Sequence, residues 1–197
     1  MQELIEKFRT NVIELSNTNK SFIHCEWFVK YHLEIVEKIA LELCDIYTSA
    51  DRDLVKLLVW LHDYGKIIDF TNQYTATRAM GRPKLLEFGF PQDLAEKAIS
   101  YIETLDNKEG LASDATPIEI KIASSADGAA HLVGPFFYFY WYENSNKSIE
   151  DLMVSGREKS AKDWENKIVL PEVKKAFETR HNFLLEQMGN IPGKFFM

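Results

Sequence analysis

Leu57-Leu58-Val59-Trp60-Leu61-His62-Asp63-Tyr64-Gly65-Lys66 is a strongly apolar helical stretch that ends in a histidine and a carboxylate side by side. Neither polar residue belongs there for packing. Adjacent positions on a helix point about 100° apart, so both side chains reach one ion only from the edge of a helical face or from its last turn. A neutral imidazole plus a carboxylate suits Zn, Mn, Fe, Co or Ni better than Ca. Gly65 is expected to let the chain turn, and Lys66 adds a cation beside the pair.

An isolated His-Asp pair is common at helix ends, so the flanks decide its meaning. Upstream, His32 opens the amphipathic segment His32-Leu33-Glu34-Ile35-Val36-Glu37-Lys38-Ile39-Ala40-Leu41. Downstream, Asp127 stands alone in the small, mostly apolar segment Ile120-Lys121-Ile122-Ala123-Ser124-Ser125-Ala126-Asp127-Gly128-Ala129. The order His32, His62-Asp63, Asp127 with these flanks resembles the HD superfamily of metal-dependent phosphohydrolases. The resemblance covers roughly residues 24 to 132, and its most specific part is the segment from Leu57 to Lys66.

The resemblance implies an all-α, HD-type helical fold and metal ligands at His32, His62, Asp63 and Asp127. It implies hydrolysis of a small phosphorylated metabolite, with a nucleotide as the leading substrate class, by metal-activated water. Binuclear relatives carry further histidines between the signature pair and the last aspartate. None lies between Asp63 and Asp127 here, so one divalent ion is expected (Mn, Fe, Co, Ni, Zn or Mg). Two nitrogens and up to four oxygens, with two waters, make a six-coordinate centre. Asp63 could ligate through one oxygen and accept a water proton through the other.

Other residues are candidates for the same site. The resemblance implies that Lys66 faces the phosphate, acting in catalysis and substrate binding; read from the sequence alone it could be a solvated lysine near a helix C-terminus. His131 shares the helix face of Asp127 one turn on, and could touch substrate, act as a general acid, or be structural. His24 lies two turns before His32, about 80° round the helix, and could line the pocket. Arg82, with Arg78 and Lys84, could receive a phosphate or remain exposed charge. Glu103 could replace a missing ligand, though a solvated glutamate is the better reading. His181 reads as structural or surface.

Composition bounds these readings. At 197 residues, with 46% hydrophobic and 27% charged residues, the chain is expected to form one globular domain. Its motif-bearing core should span about 24–132 and its C-terminal helices about 136–190. A net charge of -7 argues against binding a nucleic acid polymer, which needs a basic face. It leaves room for a small anion, because a metal and a few lysines can dominate a local field. Cys25 and Cys44 have no zinc-ligand or CxxC spacing and read as buried free thiols in a reducing compartment. Neither a signal-peptide core nor a run of about 18 apolar residues occurs, so a cytoplasmic location is expected.

Helical periodicity predicts helices over residues 2–16 and 23–47 (one long helix or two abutting), then a third that Ser49-Ala50-Asp51 can cap and that ends at the signature pair. Gly81-Arg82-Pro83 is read as a break before a short helix, Lys84 to Phe88. Pro91 and Pro117 each open a further helix. Seven aromatics run from Phe136 to Tyr142; they have strand propensity but no partner strand, so they too are read as helix. Most of that run is expected in the core, its outward members suiting base stacking or a homodimer contact. Two C-terminal helices should follow, for seven to nine in all.

Two other functions fit the same residues. An HD-type hydratase would need no phosphate-binding cations, so changing Lys66 or Arg82 would leave its turnover intact. A non-catalytic regulatory module would bind metal or ligand without turnover.

Overall fold

A computed structural model describes residues 1–196. Helix α3, Arg52–Leu61, is the axis of the fold: Leu54, Val55 and every residue from Leu57 to Leu61 are buried. Its last five residues are buried on every side, and α3 is enclosed by α1 (Gln2–Thr18), α2 (Glu34–Ile46), α6 (Gln92–Asn107) and α7 (Ile118–Ala130). Asp51 caps α3, its side chain accepting from the Leu54 amide, as the sequence suggests. The Asp51 amide in turn donates to Glu119 Oε1 at 3.0 Å, which ties the start of α3 to α7.

Short α4 (Tyr64–Ile68) follows the signature pair and packs on α5 (Gln73–Glu87). Gly81-Arg82-Pro83 does not break the chain; α5 runs through it. Gly81 is buried because a Cβ there would lie 2.9 Å from Leu61 Cδ1 and 3.1 Å from Ile99 Cδ1, so the glycine serves close helix approach. Gly65 likewise is not where the chain turns: it lies inside α4, and the turn falls at His62-Asp63. A Cβ at Gly65 would lie 2.1 Å from the Gln73 carbonyl oxygen, and the Gly65 amide donates to Thr77 Oγ1.

The C-terminal part comprises α8 (Phe136–Glu143), α9 (Ile149–Lys162) and α10 (Pro171–Gln187), giving ten α-helices among the described residues rather than seven to nine. The aromatic run is helical as read, but it is not mostly core. Only Phe137 is buried, while Tyr138 and Tyr142 are exposed.

Two π-helical turns interrupt the regular helices, Val29–Leu33 before α2 and Asp163–Lys167 after α9. A π turn widens the backbone and re-aims its side chains, and such turns concentrate at functional sites. The first carries His32, and the second begins at Asp163 and ends at Lys167.

Candidate metal centre

His62 is the C-cap of α3, and Asp63 bridges to α4 with φ -110° and ψ 15°, outside the helical region. That non-helical residue relieves the divergence of adjacent helical positions. Asp63 Oδ2 lies 3.5 Å from His62 Nε2 and 3.4 Å from His32 Nε2. Asp127, near the end of α7, places Oδ1 at 3.7 Å from His32 Nε2, 3.9 Å from His62 Nε2 and 3.5 Å from His131 Nε2.

The histidine protonation pattern favours a cation. His62 Nδ1 lies 2.7 Å from the Val59 carbonyl oxygen, which can only accept, so Nδ1 carries the proton and Nε2 presents its lone pair. His62 Nε2 and both ring nitrogens of His32 are buried without hydrogen-bond partners. Buried polar atoms are seldom left so. Burial lowers the His32 pKa against the pull of Asp63 and Asp127, so this imidazole is a neutral donor. His32, His62 and Asp63 form one trio that could hold an ion, and His32, Asp127 and His131 form another. Donor separations of 3.4–3.9 Å suit neighbours around an ion with bonds of about 2.0–2.2 Å. The residues present therefore fit a divalent metal.

Lysines surround these carboxylates. Lys66 Nζ lies 2.5 Å from Asp63 Oδ2, and Lys167 Nζ lies 2.5 Å from Asp127 Oδ2. Burial opposes ionisation of both aspartates, yet the lysines and neighbouring histidines hold their pKa values well below the usual range. Lys159 contacts Asp163, whose Oδ2 also lies 2.8 Å from His131 Nδ1. Burial, followed by the nearby Lys167 charge, brings the Lys159 pKa down to about 8 despite Asp163.

Two cavities meet at this cluster. A polar one of about 70 Å³ is lined by His62, Asp63, Asp106, Asp127 and lysines. The second, about 330 Å³, is walled by Trp27, Phe28, Phe70, Phe136, Phe137 and Tyr140. Lys66, Gln73, Tyr74, Lys108 and Lys167 line both, so they form the seam between a charged end and an aromatic end. The larger cavity is within the range of small-molecule sites.

His32, His62, Asp63, Asp127, His131 and Lys66 are thus brought together, and His24 lines the aromatic cavity with its Nδ1 2.8 Å from Glu143 Oε2. Arg82 is not. It pairs with Glu96 at 2.9 Å and lines neither cavity, because the unbroken α5 carries it elsewhere. Arg78 pairs with Asp106, Lys84 with Glu87, and Glu103 is exposed. His181 stacks on Trp164 at 4.3 Å.

Sequence reasoning missed Asp106, Lys108, Lys159, Asp163 and Lys167. Asp106 is half-buried, and burial together with the Asp63 charge raises its pKa to about 7 despite Arg78. Lys108 ends α6 in a left-handed conformation, φ 58°. In sequence all five resemble solvated charges on polar segments; no local spacing marks them.

No helix among the described residues is long and apolar enough to cross a membrane. Comparisons with curated proteins and with solved structures found no match. The HD domain family profile matches residues 29–130, which begins at the π turn bearing His32 and ends just past Asp127. With an all-helical fold and a His/Asp cluster able to hold a divalent metal, the chain belongs to the HD domain family of metal-dependent phosphohydrolases.

Proposed function

We propose that the small substrate of this phosphohydrolase is a nucleotide, and that its phosphate meets the lysine seam while its base enters the aromatic cavity. The observation that carries this reading is the shared lining of the two cavities: Lys66, Lys108 and Lys167 stand between the His/Asp cluster and the aromatic wall. A net negative chain that gathers cations there is built for a local anion.

His32, His62, Asp63 and Asp127 would hold the ion. When bound, a divalent ion supplies a water of lowered pKa. The ammonium groups of Lys66 and Lys167, now on Asp63 and Asp127, would turn to the phosphate oxygens. The free oxygen of Asp63 would take a water proton. The aromatic walls would exclude water, which strengthens each of these charge interactions, and would stack the base. The hydratase reading gains nothing from such a seam.

The test is phosphate release from a panel of nucleoside monophosphates and sugar phosphates, with each divalent metal in turn, for the native chain and Asp127→Ala. Release from nucleotides, abolished in the variant, is expected. Turnover of sugar phosphates with none of nucleotides would overturn the substrate assignment.

A further inference from the structure

His131 is the part of the cluster that four conventional ligands do not explain. Its ring is clamped between His32, stacked at 5.0 Å and 9°, and Phe136 at 4.2 Å, and it is only 6% exposed. Nδ1 lies 2.8 Å from Asp163 Oδ2, with Lys159 Nζ at 3.1 Å. Two tautomers are conceivable. Were Nδ1 bare, it could accept from Lys159, but its lone pair would face a carboxylate oxygen at the shorter distance. Lys159 already has Asp163 as its partner, and a carboxylate flanked by Lys159 and Lys167 cannot be the donor. Nδ1 therefore carries the proton and donates to Asp163.

It follows that Nε2 carries the lone pair, and it points at Asp127 Oδ1 at 3.5 Å. Two electron-rich atoms then face each other with no proton between them, and a metal cation held by both would relieve the contact. A histidine whose far nitrogen donates to a carboxylate is also the arrangement that orients metal ligands. The two metal-competent trios share His32. Its Nε2 is the atom that approaches both Asp63 and Asp127, and one imidazole nitrogen has one lone pair to give. The trios thus describe one ion rather than two.

We infer that His131 is a fifth protein donor to the metal centre, fixed by Asp163, and that the resulting three-imidazole, two-carboxylate set selects a transition metal over magnesium. Imidazole suits Zn, Fe, Co and Ni, whereas Mg²⁺ demands oxygen donors and retained waters. In a six-coordinate ion this leaves one position for water or substrate. The inference rests on the metal-centre reading above, and it gives His131 no proton to deliver from Nε2.

The native chain loaded with Co²⁺ is the probe, and proton NMR counts its paramagnetically shifted, solvent-exchangeable imidazole N–H signals. Three are expected, from His32, His62 and His131; two would overturn the proposal while leaving the metal centre intact. Co²⁺ affinity by chelator competition is the second readout. His131→Phe keeps the stacked ring and removes the donor, and should weaken binding by about 100-fold. Asp163→Asn should weaken it by about 10-fold and move one N–H signal, as loss of an orienting partner does. Unchanged affinity in His131→Phe overturns the assignment. Displacement of Co²⁺ by equimolar Mg²⁺ overturns the selectivity. Failure of the native chain to bind Co²⁺ at all brings down the metal centre itself.

Discussion

Lys167 Nζ lies 2.5 Å from Asp127 Oδ2, while Oδ1 of the same carboxylate faces His32, His62 and His131. One aspartate thus divides its two oxygens between an ammonium and a cluster of imidazoles. Lys167→Met removes a competitor for that carboxylate and also a cation from the seam. Metal affinity should rise, and KM for a phosphorylated substrate should rise too. Loss of one charged hydrogen bond of about 1.5–3 kcal/mol corresponds to roughly 10–100-fold in KM. Steady-state kinetics beside a metal titration separates the two effects.

Phe70 lines the aromatic cavity and is 44% exposed, so truncating it should leave the fold intact. Phe70→Ala should raise KM for a nucleoside monophosphate by roughly 5–100-fold, from a lost stacking contact of about 1–3 kcal/mol. KM for ribose 5-phosphate should not move. Equal effects on both substrates would show that the cavity does not hold the base.

Gly65 packs α4 on α5 so closely that a Cβ would lie 2.2 Å from the Thr77 amide nitrogen. The obstacle is backbone and cannot rotate away. Gly65→Ala should cost about 3 kcal/mol or more in urea unfolding, through overpacking, and should displace Lys66. An unchanged midpoint would mean that α4 stands off from α5.

Asp106 supplies the pH test. Its folded pKa is raised to about 7 by burial and then by the Asp63 charge, from 3.8 when unfolded. The folded state therefore holds a proton that the unfolded chain releases first. This group's contribution to stability is full below pH 3.8 and is lost as pH rises to about 7. In the metal-free protein, Asp106→Asn should flatten that part of the Tm–pH curve and gain most over the native chain near pH 7. A native-minus-variant difference that is constant from pH 4 to 7.5 would show an ordinary Asp106.

The HD motif and its helix are local properties of the chain. Seven buried apolar residues of α3, Asp51 as its cap, and His62-Asp63 at its end can all be read from spacing, because helix periodicity and capping act within a few residues. The aromatic run is legible as helix for the same reason. Its burial is not, since which faces of α8 are covered depends on Trp27 and on the cavity beside it. Gly81 and Pro83 mislead because breakers in sequence also serve close packing, and only the positions of Leu61 and Ile99 tell the two apart.

By itself the sequence determined the helical class and the HD family, and it picked out His32, His62, Asp63 and Asp127, which the fold brings together. The tertiary structure alone decided the surroundings of that motif: Lys167 and Asp163 from the π turn after α9, Lys108 from the end of α6, and Asp106 beside Arg78. These charges look solvated in the linear chain. They become a site only when distant segments fold together, because charge interactions depend on distance in space and on burial.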